Sequence, residues 1–232
     1  MDSNVILVLG ATGQSGLAFI EEALQLADPP KLVLYVRNKS KVPETAIQSA
    51  KVSIVSGNLA DYETLSCAMK QHSVTTVVSF LGAYVSASAV ITRAKPTPIA
   101  DSFPVIIDAM KNSGVRHLMA LSTPSYWVEG QDVSTWRLTM YGLMPVIFAP
   151  QGNAEMVKIA QEVVSKGDSL DWTIFRIPHL TNEAPDLQVW ADYAGPSHKG
   201  SLSLSRGSLA RWVLTEIKER KWTKGAPLLG NI

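Results

Sequence analysis

Gly10, Gly13 and Gly16, spaced three apart in Gly10-Ala11-Thr12-Gly13-Gln14-Ser15-Gly16, are the residues of this 232-residue chain whose type and spacing most directly suggest chemistry. At the first position glycine lets a chain turn sharply off a strand. At the second it lets a phosphate approach bare backbone, and at the third it lets a helix pack close. The amides of the first helical turn then face the anion, aided by the positive end of the helix dipole. Alone the pattern is a weak signal, and an ordinary tight turn satisfies it. Its setting gives it weight. Val5-Ile6-Leu7-Val8-Leu9 before it reads as a strand buried on both faces, and Leu17 to Ala27 after it reads as a helix. Strand, glycine turn and helix in that order form the place where a doubly wound sheet holds a dinucleotide. Gly10, Thr12, Gly13, Gln14, Ser15 and Gly16 are therefore candidate cofactor-binding residues.

The ends of the next strands extend the candidate site. Leu32-Val33-Leu34-Tyr35-Val36 reads as a second buried strand. Just beyond it an acidic residue would grip a ribose 2′-hydroxyl and repel a 2′-phosphate. Arg37-Asn38-Lys39-Ser40-Lys41 stands there instead, 21 residues after Gly16 at its start. Three cations without an acid suit a 2′-phosphate, so Arg37 and Lys39 point to NADP(H); the bland alternative is a solvated basic loop. After a short third strand, Val52 to Val55, Asn58 and Leu59 stand where such a sheet meets an adenine ring, although Asn58 could equally be a turn residue. Thr75 to Leu81 is the fourth strand, Gly82-Ala83 after it leaves backbone room beside a ribose, and Leu81 and Gly82 join the candidate cofactor-binding residues. His117 to Leu121 is the fifth, and Ser122 and Thr123 at its end lie on the carboxyl edge, where ligands bind in this architecture.

The elements that must position these residues alternate regularly. Asp61 is a suitable N-cap for a helix running to about Gln71, and a further helix spans about Ser102 to Asn112, with Val105, Ile106, Ala109 and Met110 on one face. Helices over Asn153 to Lys166 and Leu209 to Arg220 flank a sixth strand, Trp172 to Arg176. Two stretches break the rhythm. Tyr84 to Pro98 reads as a loop. Pro124 to Gly152 is an irregular, aromatic-rich insertion holding Tyr126, Trp127, Trp136, Met140, Tyr141, Met144 and Phe148. So long a loop in a compact domain is usually functional, and its aromatics make it a candidate wall for an apolar substrate pocket; the alternative is a satellite core. The fold expected is α/β: one doubly wound domain over residues 1–232, with a parallel sheet in the order 3-2-1-4-5-6 and helices on both faces.

Composition narrows the partners. An apolar fraction of 46% supports a large core, and a net charge of +1 gives no bulk electrostatic reason to expect nucleic acid or a membrane surface. No charged-then-apolar leader precedes Val5 and no run approaches the ~20 apolar residues that span a bilayer. A soluble protein of a reducing, cytoplasmic compartment is expected. The lone cysteine, Cys67, reads as core filler, and His72, His117, His179 and His198 lack metal-ligand spacing, so no metal is expected.

The glycine turn, Arg37, Gly57-Asn58-Leu59, Ser122-Thr123 and Trp172-Thr173-Ile174-Phe175-Arg176-Ile177-Pro178 together resemble the atypical short-chain dehydrogenase/reductases, most closely the NmrA-like NAD(P)-binding group. The resemblance covers nearly the whole chain and is strongest in the first 82 residues. The glycine turn and Pro178-His179-Leu180 are also similar to the small flavin and biliverdin-IXβ reductases, which adds Pro178 to the candidate cofactor residues. In most of the superfamily a tyrosine acts as general acid four residues before a lysine that holds the ribose. Lys158 aligns best with that lysine, but Ala154 stands at the tyrosine position and can move no proton. The flavin-reductase-like members manage without the pair by packing substrate against the nicotinamide.

The resemblance implies an NADPH-dependent reductase of an apolar, conjugated or aromatic small molecule. Ser122 or Thr123 would lie near the reacting carbonyl, His179 would be a candidate proton donor and Lys158 would hold the ribose. A non-redox enzyme on the same fold, such as an isomerase, epimerase or dehydratase, and a regulatory sensor of the dinucleotide both stay open. Substrate identity and oligomeric state stay open with them.

Overall fold

A computed structural model of the chain describes residues 4–82, 97–136, 139, 142–143, 146–147 and 149–232. Most of the expected loop from Tyr84, together with Met140, Tyr141, Met144 and Phe148, lies outside the described residues.

The first strand, β1 (Val5–Leu9), is buried at every residue and pairs in parallel on both sides, with β2 (Lys31–Val36) and β4 (Thr76–Ser79). Such double burial requires an unbroken apolar run, and β1 supplies it. Beyond β2 lies β3 (Val52–Ser56); beyond β4 lie β5 (His117–Ser122) and β6 (Asp171–Arg176). The order 3-2-1-4-5-6 is therefore the one expected. The sheet then continues past β6. β10 (Leu228–Asn231) adds in parallel, and β8 (Val189–Asp192) pairs antiparallel with β10, so the sheet is mixed at that edge rather than wholly parallel. A separate parallel pair joins β7 (His179–Thr181) to β9 (Ser203–Ser205). These late strands hold three or four residues each, too few to show a period in sequence.

Helices cover both faces. On one, α1 (Gln14–Leu24) packs against α6 (Arg206–Glu219), and Arg211 of α6 reaches Glu22 of α1 at 2.6 Å. On the other, α4 (Phe103–Asn112) packs between α3 (Tyr62–Gln71) and α5 (Pro150–Lys166). A four-residue helix, α2 (Glu44–Ile47), sits between β2 and β3. Asp61 caps α3 as expected, accepting the Thr64 N–H at 3.0 Å. α1 and α5 each begin three residues before the expected start, α5 with a proline in its first turn, because that turn is polar or irregular and shows no apolar period. Cys67 corrects the expectation of core filler: it is exposed, while Leu65, Ala68 and Met69 of the same helix are buried. No helix among the described residues is long and apolar enough to cross a membrane.

Candidate active site

The glycine turn leaves β1 at the point where the strand order reverses, between β1 and β4. Gly10 has φ +76°, and a Cβ there would lie 2.8 Å from the Phe80 carbonyl carbon at the end of β4. Any side chain would have to fight both the left-handed backbone and the neighbouring strand. A Cβ on Gly16 would overlap the Gly10 carbonyl, which explains the third glycine as a close approach of helix and turn. The first helical bond runs from the Leu17 N–H to the Gly13 carbonyl, 2.8 Å. The amides of Gln14, Ser15 and Gly16 precede it and, with no side-chain cap and no acid in the first turn, are free to face an anion.

Two clefts open beside this turn. The first, 280 Å³, runs from Gly10 and Thr12 across Tyr35, Arg37, Asn58 and Leu59 to Leu81, and is closed from the far side by Ile99 and by Gln151 and Glu155 of α5. Arg37 is exposed at its end, and neither Arg37 nor Lys39 makes an ion pair with a described residue. Asn38 fixes the basic loop by accepting the Ser40 N–H at 3.0 Å and its hydroxyl at 2.8 Å. Asn58 is both turn residue and cleft wall: its Oδ1 accepts the Ala60 N–H at 3.2 Å, and its carbonyl accepts the Tyr35 hydroxyl at 2.9 Å. Burial, then the charge of Asp61, pushes the Tyr35 hydroxyl up to about 12, so it stays a donor at neutral pH.

The second cleft, 300 Å³, lies at the carboxyl ends of β4, β5 and β6. Phe80, Leu121, Met156, Ile177 and Leu180 make it apolar, with Ser15, Gly82, Thr123 and Asn153 among its remaining walls. Thr123 and Asn153 of its lining form one small network with Ser125. The Thr123 hydroxyl is 3.5 Å from Asn153 Oδ1, and the Ser125 hydroxyl donates to the same oxygen. A third cavity of 420 Å³ lies beyond Ser125, walled by Trp127, Leu143 and Val146 of the irregular segment.

Of the residues expected at the site, Gly10, Thr12, Arg37, Asn58, Leu59 and Leu81 line the first cleft, while Ser15, Gly82 and Thr123 line the second. Gly13, Gln14 and Gly16 build the turn itself, and the remaining expected residues lie elsewhere than expected. Ser122 is fully buried and donates to the Met156 carbonyl at 2.9 Å, because side chains alternate and Thr123, one residue on, takes the cleft side. Lys158 lies on the outer side of α5, its ammonium 2.5 Å from Asp101 and 3.1 Å from Thr97; the Asp101 hydrogen bond chiefly raises its pKa. His179 is exposed on β7, its N–H donating to the Leu202 carbonyl at 3.2 Å, and the residues flanking the turn there, Ile177 and Leu180, face the cleft instead. Pro178 is buried beside it but lines neither cleft, and Lys39 stays on the exposed loop next to Arg37. Trp136 is 81% exposed and walls none of these three cavities. Gln151, Asn153 and Glu155 were missed. A proline opening a helix at residue 150 was the available signal for phasing them.

Comparison with known proteins agrees with this geometry. No curated protein matches the chain. A short-chain dehydrogenase/reductase of Veillonella parvula in complex with NADP is similar in structure, with a TM-score of 0.74 at 18% identity over 98% of this chain and 94% of that one. The anaerobillin reductase ChuY of Escherichia coli O157:H7 gives a TM-score of 0.72 at 15% identity, covering 98% of this chain and 97% of its own. A putative NAD-dependent epimerase/dehydratase of Bacillus halodurans gives 0.67 at 19% identity, covering 99% and 94%. At these identities the likeness is one of fold, a Rossmann-type sheet flanked by helices. Residues 10–220 match the NAD(P)H-binding family, from the first glycine of the turn to the end of α6, and the chain belongs to that family.

Proposed function

We propose that this protein is an NADPH-dependent reductase of an apolar, conjugated or aromatic small molecule. The observation that carries the reading is the second cleft, an apolar slot at the carboxyl edge of the sheet that shares the glycine-turn helix through Ser15 and has one polar cluster, Thr123, Ser125 and Asn153. In this reading the adenosine end occupies the first cleft, with Arg37 and Lys39 on the 2′-phosphate. When bound, the reduced nicotinamide would supply the hydride. Phe80, Leu121, Met156, Ile177 and Leu180 would exclude water and hold a flat apolar acceptor against the donor, which is catalysis by positioning. The Thr123 hydroxyl, held on the cleft side by its hydrogen bond to Asn153 Oδ1, would exchange that bond for one to the acceptor's developing negative oxygen or nitrogen, the accompanying proton coming from solvent. The cavity under Trp127 would take the part of the substrate distant from the reacting atom.

The test is NADPH oxidation against a panel of quinones, flavins, linear tetrapyrroles and enones. Turnover with at least one of these acceptors, and slower turnover with NADH, is expected. An enzyme that binds NADPH but oxidises it with none of them is not this reductase.

A further inference from the structure

The side of α5 that closes the first cleft presents hydrogen-bond acceptors. Gln151 and Glu155, one helical turn apart, both line the cleft, and they are only 9% and 2% exposed. Glu155 is committed: its carboxylate accepts the Ala100 N–H at 2.6 Å and so ties the segment entering α4 to α5. Burial is the main influence on that carboxyl and raises its pKa. Gln151 is not committed in this way. Its side-chain oxygen is buried and accepts no hydrogen bond from any described residue. Native folds rarely leave a buried amide oxygen without a donor.

No cation among the described residues supplies that donor. Lys158, on the same helix, is turned outward onto Asp101 and Thr97. A ligand in the cleft can supply the missing donor. A phosphate is the wrong chemistry, having only acceptor oxygens and facing Glu155 as well. A hydroxyl fits. The position of Gln151 indicates which one. Arg37, Asn58 and Leu59 hold the opposite end of the cleft, whereas the residues following Gln151, Gly152 and Asn153, line the second cleft. Gln151 thus stands at the junction of the two.

We propose that Gln151 Oε1 accepts a hydrogen bond from a hydroxyl of the nicotinamide-side ribose of the bound dinucleotide, in place of the outward-turned lysine. Glu155 acts as a positioning residue that fixes the helix face. The assignment rests on the reading of the second cleft as the nicotinamide end, and not on whether hydride transfer occurs.

Calorimetric titration of the full-length protein with NADPH and with adenosine 2′,5′-bisphosphate, which lacks the second ribose, tests it. Gln151→Leu and Gln151→Met should each lower NADPH affinity about 3- to 10-fold, the worth of one hydrogen bond, and leave bisphosphate affinity unchanged. Their melting temperatures without ligand should hold or rise, since an unpaired buried oxygen has been removed. Unchanged NADPH affinity, or an equal loss on both ligands, overturns the proposal. So does a lowered ligand-free melting temperature or failure to fold in both variants, because the oxygen would then serve the fold. If the wild type binds NADPH no more tightly than the bisphosphate, the nicotinamide-end reading itself fails, and the proposal with it.

Discussion

Arg176 and Asp132 meet as a two-point ion pair with neither side chain exposed, Nη1 lying 2.6 Å from Oδ2 and Nη2 2.9 Å from Oδ1. The remaining polar atoms are also engaged. Arg176 donates to the carbonyls of Ala226 and Tyr126, both at 2.8 Å, and Asp132 accepts the N–H groups of Val128 and Ala194 at 2.7 and 2.8 Å. One contact therefore fastens the irregular segment after β5 to the end of β6, to the approach to β10 and to the chain near residue 194. It holds in place the segment that walls the cavity under Trp127.

Breaking this pair from one side should be costly. Asp132→Ala leaves a guanidinium buried and unpaired, and should lower unfolding free energy by about 3–5 kcal/mol in urea titrations. Replacing both partners by apolar residues, Arg176→Met with Asp132→Leu, should recover much of that loss, because desolvation then disappears with the charges. A single variant within about 1 kcal/mol of wild type would show that the pair is not the fastening described.

Cofactor choice should rest on the basic loop after β2. Losing a charge-assisted contact to phosphate costs about 1.5–3 kcal/mol, and exposure of Arg37 favours the lower end. Arg37→Ala should therefore weaken NADPH binding roughly tenfold while barely changing NADH binding. The gap between the two cofactors should also shrink as salt is added. Wild-type affinities that are equal for both cofactors would refute the 2′-phosphate reading.

The glycine turn and the cleft beside it were legible because they are local. Gly10 to Gly16 fixes its own geometry, and the strand before it and helix after it are visible as runs and periods. The lining of the second cleft depends on phase, which is set by tertiary packing. Whether Ser122 or Thr123 faces the cleft depends on β5 alternation relative to the neighbouring layers, and Ser122 is drawn inward onto α5. Which side of α5 faces the cleft depends on Glu155 reaching the Ala100 amide, a contact 55 residues away in sequence. Alignment to a lysine selected Lys158, on the outer side. The short strands β8 and β10 were invisible for a similar reason, since their pairing partners are what define them.

Acid should destabilise the fold through His117. Its imidazole is buried at the start of β5, 3.2 Å from the Thr76 hydroxyl, and burial foremost lowers its pKa from 6.5 to about 4. Between those values the unfolded chain binds the proton and the folded one does not, so this contribution falls as pH drops from about 6.5 to about 4 and is flat below that. Glu155 and Glu216, whose pKa values burial raises, act in the opposite direction. Comparing His117→Gln with wild type isolates the histidine. The variant should lose less stability over that window, by about 3 kcal/mol. Parallel stability curves for the two proteins would count against this account.

The tryptophans of the irregular segment should behave differently from one another. Trp127 walls the third cavity and is 48% exposed, while Trp136 is 81% exposed and walls none of the three. An apolar acceptor bound there should quench fluorescence in Trp136→Phe as in wild type, and much less in Trp127→Phe. Trp127→Ala should raise the Michaelis constant for bulky acceptors several-fold and leave NADPH affinity unchanged. Equal behaviour of the two variants would leave the third cavity without a role in binding.

Catalysis should depend on Thr123 and Asn153 and not on His179. Thr123 follows β5 on the cleft side, and Asn153 Oδ1 is within reach of both its hydroxyl and that of Ser125. A hydroxyl aimed at the acceptor contributes most where negative charge develops, so its removal should appear in turnover rather than in binding. Thr123→Val should lower kcat about 10- to 100-fold with little change in the Michaelis constant or NADPH affinity, and Asn153→Leu should do the same more weakly because it acts through the hydroxyl. His179 is exposed on β7 and lines neither cleft, so His179→Ala should leave both constants within about twofold, a change worth less than 0.5 kcal/mol. A steep loss in the histidine variant, with Thr123→Val unaffected, would reverse the assignment and require β7 to move over the second cleft during turnover.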